Sequence, residues 1–155
     1  MDSERPKLAL FAVQNTEVLR LLAGLADAYR VALVQPNEDI LRAHRTHRFE
    51  LVLFFARSRE IKRFSGLSRR LKTEQKAPRV CLISPSGVRG DPAVLLEAYL
   101  LDGLYGGDYQ PKKILDWLHQ VRQDERPITG DFTSRGRFRA ALRKISESRV
   151  SSTDE

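Results

Sequence analysis

Cysteine is almost missing from this chain: Cys81 is the only one among 155 residues. No intramolecular disulfide can form, which excludes the stapled framework of a small secreted scaffold. A lone thiol inside an apolar run reads as a buried, reduced side chain of a cytosolic protein. Long hydrophobic runs are missing too. No apolar stretch reaches the roughly 18 residues that a membrane helix needs. The amino-terminal MDSERPK is charged and carries no apolar signal core, so the expected location is cytoplasmic. Glycine-rich phosphate loops are also absent. No G-x-G-x-x-G follows the first apolar run, where VQNTEV has no glycine at all, and no Asp-x-His-x-x-Gly pattern occurs. Dinucleotide and cobalamin-type binding lose their signatures, the flavin signal is weak, and no cofactor is expected.

Positive charge is abundant. The net charge is +7, and the excess is local. Between Arg42 and Arg79 there are 12 basic and 3 acidic residues, and between Phe132 and Val150 there are 6 basic and 1 acidic. Basic surface attracts nucleic acid, anionic lipid or an acidic protein, and it serves equally as a solvated face.

Five apolar runs organise the chain: Lys7–Val13, Arg30–Val34, Glu50–Phe55, Arg79–Ile83 and the shorter, glycine-flanked Gly103–Tyr105. Each fits a strand buried on both faces, as a parallel sheet requires. Helical spacing separates them. Val18, Leu21, Leu22, Leu25 and Ala28 recur after Asn15, a capping residue. A second helix spans Glu38–His47 with Asn37 as its cap. Ile61, Phe64, Leu67 and Leu71 stripe a third. Asp91 and Pro92 open a fourth, and Pro111 opens a fifth with Ile114, Leu115, Trp117, Leu118 and Val121. Alternation of this kind predicts an α/β, flavodoxin-like three-layer sandwich around a five-stranded parallel sheet of order 2-1-3-4-5. The domain covers 1–123. Residues 124–155 read as a linker and a basic, partly disordered tail.

The layout of KLALFAV, then FELVLFF, then APRVCLISP, then the Asp102-Gly103-Leu104-Tyr105 turn and an amphipathic last helix resembles the response-regulator receiver domain of two-component signalling. That resemblance covers roughly Pro6 to Gln123. It implies an acidic pair after strand one to hold Mg²⁺, a phosphoacceptor aspartate ending strand three, a Ser/Thr after strand four and a lysine after strand five. In this chain the acidic pair falls on Ala12 and Val13, or on Val13 and Gln14 after a slip of one residue. The phosphoacceptor falls on Phe55, and the lysine on Gly107 or Asp108. Ser84 alone keeps a matching residue type, and it reads equally as a turn residue before Pro85. Alkyl groups give Mg²⁺ no oxygen ligand, and a phenyl ring is no nucleophile. The expectation is a degenerate pseudo-receiver with no catalytic residues and no metal site.

Other chemistries are thinly signalled. His44 and His47 lie three apart on the second helix, but no cysteine or carboxylate cluster completes a metal set, so they read as surface histidines. The loop from Ser84 through Pro85, Ser86 and Gly87 to Arg89 could cradle an anion, or could simply join strand to helix. By the same resemblance, the face formed by helix four, strand five and helix five is the partner surface, with Tyr99, Tyr105 and Trp117 on it. It is also the route to a homodimer. Spacing alone puts Trp117 near the apolar stripe, which favours core or rim packing. In the tail, Phe138, Leu142 and Ile145 share a helical face flanked by Arg137 and other cations, a docking pattern for protein, membrane or nucleic acid. The expected function is a non-enzymatic, phosphorylation-independent interaction module in bacterial signalling. The alternative is a nucleic-acid-binding or transcription-associated regulator using the basic face and tail.

Overall fold

A computed structural model describes residues 5–57, 60–85, 90–107 and 110–130. Strands and helices alternate as β1 (Lys7–Phe11), α1 (Thr16–Leu25), β2 (Arg30–Val34), α2 (Ile40–His47), β3 (Leu51–Phe55), α3 (Ile61–Lys72), β4 (Arg79–Ser84), α4 (Pro92–Ala98), β5 (Gly103–Gly106), α5 (Pro111–Gln123) and β6 (Ile128–Gly130). The strands form one parallel sheet of order β2-β1-β3-β4-β5-β6. The chain is flavodoxin-like, as its alternation predicts, with one strand more than the sequence suggests.

Period-two alternation divides the strand side chains between two apolar layers. Ala9, Phe11, Val52, Phe54, Val80 and Leu82 pack on the side of α2, α3 and α4. Leu8, Leu10, Leu51, Leu53, Cys81 and Ile83 pack on the side of α1 and α5. Burial on both faces is why these strands read as unbroken hydrophobic runs.

Most helix starts follow their cap signals. Asn15 Oδ1 accepts from Val18 N–H at 2.9 Å, and Asp91 Oδ1 accepts from Ala93 N–H at 3.0 Å. The start of α2 is a correction. Asp39, not Asn37, is its cap, because one carboxylate oxygen reaches both Leu41 N–H (3.0 Å) and Arg42 N–H (3.2 Å). Glu38 N–H is used in a turn back to the Gln35 carbonyl, and the helix begins at Ile40.

The sixth strand lies in the segment read as linker. Asp124 Oδ1 accepts from Arg126 N–H at 3.0 Å and turns the chain, and Ile128 N–H then donates to the Asp102 carbonyl at 3.0 Å. Ile128, Thr129 and Gly130 pair with Gly103, Leu104 and Tyr105. The indole of Trp117 donates to the Ile128 carbonyl at 3.1 Å. At Gly130 a Cβ would stand 2.5 Å from the Tyr105 ring and 2.8 Å from Trp117, so only glycine lets the strand lie this close.

Candidate functional site at the carboxyl end of the sheet

In doubly wound sheets, ligands bind beyond the carboxyl ends of the strands, where the strand order reverses. Here that point lies between β1 and β3. Phe11 pairs with Phe54, so Ala12 and Phe55 come next in register. Ala12 N–H is engaged by the Val34 carbonyl at 3.1 Å, and its methyl group is 1% exposed within the α1/α5 layer. Val13 is 58% exposed and points away from that core. The two neighbouring positions therefore have opposite environments.

The two phenylalanines that end β3 also part company. Phe54 is buried in a triad with Phe11 and Phe64, at ring-centroid separations of 5.2 and 5.6 Å, and Phe11 meets Phe64 at 5.3 Å. Such edge-on and stacked contacts rigidify the α2/α3 side. Phe55 is half-buried and packs on the opposite cluster, which includes Ala12, Val18 and Ile83. Ser84 is buried at the end of β4, and its carbonyl accepts from Gly107 N–H at 3.3 Å. Gly107 has φ 118°, a conformation that favours glycine. The structure thus brings Ala12, Phe55, Ser84 and Gly107 to one pole of the sheet. Asp108 lies outside the described residues, as do Ser86, Gly87 and Arg89 of the loop after β4.

The expected partner face is changed by β6. Tyr105 is 1% exposed and Trp117 is 4% exposed, with ring centroids 5.3 Å apart. Both rings belong to the core, since β6 covers the outer edge of β5 and takes the indole N–H. They cannot serve as partner contacts while β6 is in place. Tyr99 remains half-buried, and its carbonyl accepts from the Ser68 hydroxyl at 2.6 Å. Near it, Val94 is 60% and Leu100 45% exposed. Leu100 has φ 53°, the left-handed cap of α4, completed by Leu101 N–H on the Leu96 carbonyl at 2.9 Å. The tail residues Arg137, Phe138, Leu142 and Ile145 lie outside the described residues.

Two groups were missed by sequence reasoning. His44 is buried, not a surface residue. Its Nδ1 accepts from Phe49 N–H at 3.1 Å and its Nε2 lies 2.8 Å from the Lys76 carbonyl, an arrangement satisfied by a neutral ring protonated at Nε2. Asp102 is the other. Its Oδ2 accepts from Val80 N–H at 2.8 Å and pairs with Lys72 Nζ at 2.7 Å, tying α3 to β4 and β5. Neither carried a sequence signal, because both roles depend on backbone groups distant in the chain.

No protein-family model matches this chain, and no curated protein matches it. Among solved structures it is similar to a CheY-like protein, tadZ, from Pseudomonas aeruginosa PAO1, with a TM-score of 0.59 and 12% identity, covering 74% of this chain and 98% of that one. The fold is receiver-like. A second similar structure is RcsB from Salmonella enterica serovar Typhimurium, bound to promoter rprA in the presence of phosphomimetic BeF₃⁻, at TM-score 0.46 and 14% identity, covering 76% of this chain and 69% of that one.

Proposed function

We propose that this chain is a non-catalytic, phosphorylation-independent pseudo-receiver that acts as a protein-interaction module in bacterial signalling. The observation that carries the reading is the apolar carboxyl pole. A receiver-like sheet ends in Ala12 and Phe55, both tied into the α1/α5 core, where phosphoryl chemistry needs an acidic pair and a nucleophile. Phe55 fills that pole with apolar surface and holds one conformation in place of a switch.

The partner surface in this reading is the shoulder of α4, formed by Val94, Tyr99 and Leu100, together with the tail. Leu100 supports it, for a leucine 45% exposed in a left-handed cap costs about 1 kcal/mol relative to glycine. A homodimer through this region would use α4 and the outer side of α5, since β6 occupies the edge of β5. Incubation with acetyl phosphate and Mg²⁺, followed by intact-mass measurement, tests the proposal. The expected mass is unchanged, and an added aspartyl phosphate would overturn it.

A second reading, nucleic-acid binding, draws on the exposed basic face of α3, which carries Lys62, Arg63, Arg69 and Arg70. Submicromolar duplex binding that falls steeply with salt would favour it, and no binding at about 50 mM salt would remove it.

A further inference from the structure

The opposite pole of the sheet holds a second feature, independent of the receiver resemblance. At the amino ends of β3 and β4 a cleft of about 420 Å³ is lined by Arg48, Lys76, Arg79 and Arg122, with Glu50 as its one carboxylate. The lining has an excess of three positive charges. Glu50 neutralises little of it, since its contact with Arg122 is 3.5 Å long and both side chains are substantially exposed. Arg79 Nη1 donates to the Asp124 carbonyl at 2.8 Å, an interaction that orients the guanidinium through a neutral acceptor. Among the described residues, Arg48 and Lys76 have no acidic side-chain partner.

The cleft is built, not incidental. Its two walls are the chain around Arg48–Glu50 and the chain around Lys76–Arg79. The buried imidazole of His44 sits behind them and bonds to one wall through Phe49 N–H and to the other through the Lys76 carbonyl. Arg79 N–H donates to the Glu50 carbonyl at 2.9 Å and closes the floor. Arg48 itself occupies a left-handed conformation, φ 55° and ψ 70°, at the end of α2. Glycine is the usual residue there, and a side chain costs about 1 kcal/mol. A strained arginine facing a cationic cleft points to a use for its charge.

We infer that this cleft binds a small phosphate-bearing ligand carrying two or more negative charges. Guanidinium forks match phosphate oxygens in paired hydrogen bonds, and the excess of three positive charges suits a diphosphate. The cleft is open to solvent, and its volume falls in the range of small-molecule sites. A free metabolite and a lipid headgroup share this chemistry.

Inorganic pyrophosphate is the first probe, titrated calorimetrically into the full-length protein at low salt. Arg48→Gly relieves the strained backbone while deleting a cation, so R48G stays folded, and R48G/K76A should weaken pyrophosphate binding at least tenfold. Arg69→Ala, on the exposed face of α3, should leave it unchanged. Phosphatidylcholine vesicles with and without phosphatidylinositol phosphate separate the two sources. Pyrophosphate binding without vesicle binding assigns a soluble ligand, whereas vesicle binding lost in R48G/K76A assigns a headgroup. The inference fails if pyrophosphate does not bind, if R48G/K76A binds as wild type does, or if R69A loses as much as R48G/K76A. The last result, together with tighter binding to duplex DNA, would mark a diffuse nucleic-acid surface instead.

Discussion

At the scale of single residues, the contrast between neighbours is most informative. Ala12 and Val13 are adjacent, yet one is sealed in the core and the other is in water. Ala12→Asp should cost about 3 kcal/mol in urea denaturation, because a carboxylate is placed among apolar side chains. Val13→Asp should change stability by no more than about 0.5 kcal/mol. His44 and His47 form a similar pair. His44→Ala leaves the Phe49 N–H and the Lys76 carbonyl unpaired and should cost about 2 kcal/mol, whereas exposed His47→Ala should fall within about 0.5 kcal/mol. Cys81 gives a third test. Burial pushes its thiol pKa far up, and the nearby Asp102 charge adds to the effect, so almost no thiolate exists at neutral pH. Disulfide reagents should label it only after unfolding, and rapid labelling of the native protein would contradict its placement. The apolar identity of positions 12 and 55 was legible in the sequence. The burial of His44 was not, since a histidine on a basic helix gives no sign of which carbonyl it will meet.

At the scale of elements, β1, β3 and β4 were readable because they are buried on both faces and show as continuous apolar runs, and β2 and the short β5 followed from the alternation with helices. β6 was not. Three residues, one of them glycine, make too short a pattern, and the strand exists through Trp117 and Asp102 rather than through its own propensity. The consequence is practical. A chain ending at Gln123 should lose roughly 2–4 kcal/mol relative to one ending at Gly130, as Tyr105 and Trp117 become exposed. Trp117 is the sole tryptophan, so its fluorescence should shift to the red in the shorter chain. Equal stability and identical emission would mean that β6 adds nothing to the fold. Tyr105 and Trp117 of the expected partner face are buried for the same reason, since β6 lies over the outer edge of β5.

At the scale of the whole molecule, the two poles of the sheet differ in character. The carboxyl pole, where this fold class usually binds ligands, is apolar at Ala12 and Phe55. The amino pole carries a cleft lined by Arg48, Lys76, Arg79 and Arg122. Layout made the receiver-like fold legible, and the apolar residue types at the ends of β1 and β3 were legible too. The cleft was not, because its cations come from three separate segments and meet only in the folded sheet. The account rests on a carboxyl pole that does not respond to a phosphoryl group. Amide ¹H–¹⁵N spectra recorded before and after addition of Mg²⁺ with beryllofluoride, a phosphoryl mimic, test this most directly. The amides of Ala12, Val13, Phe55, Ala56 and Ser84 should not move, and saturable shifts concentrated at those strand ends would contradict it.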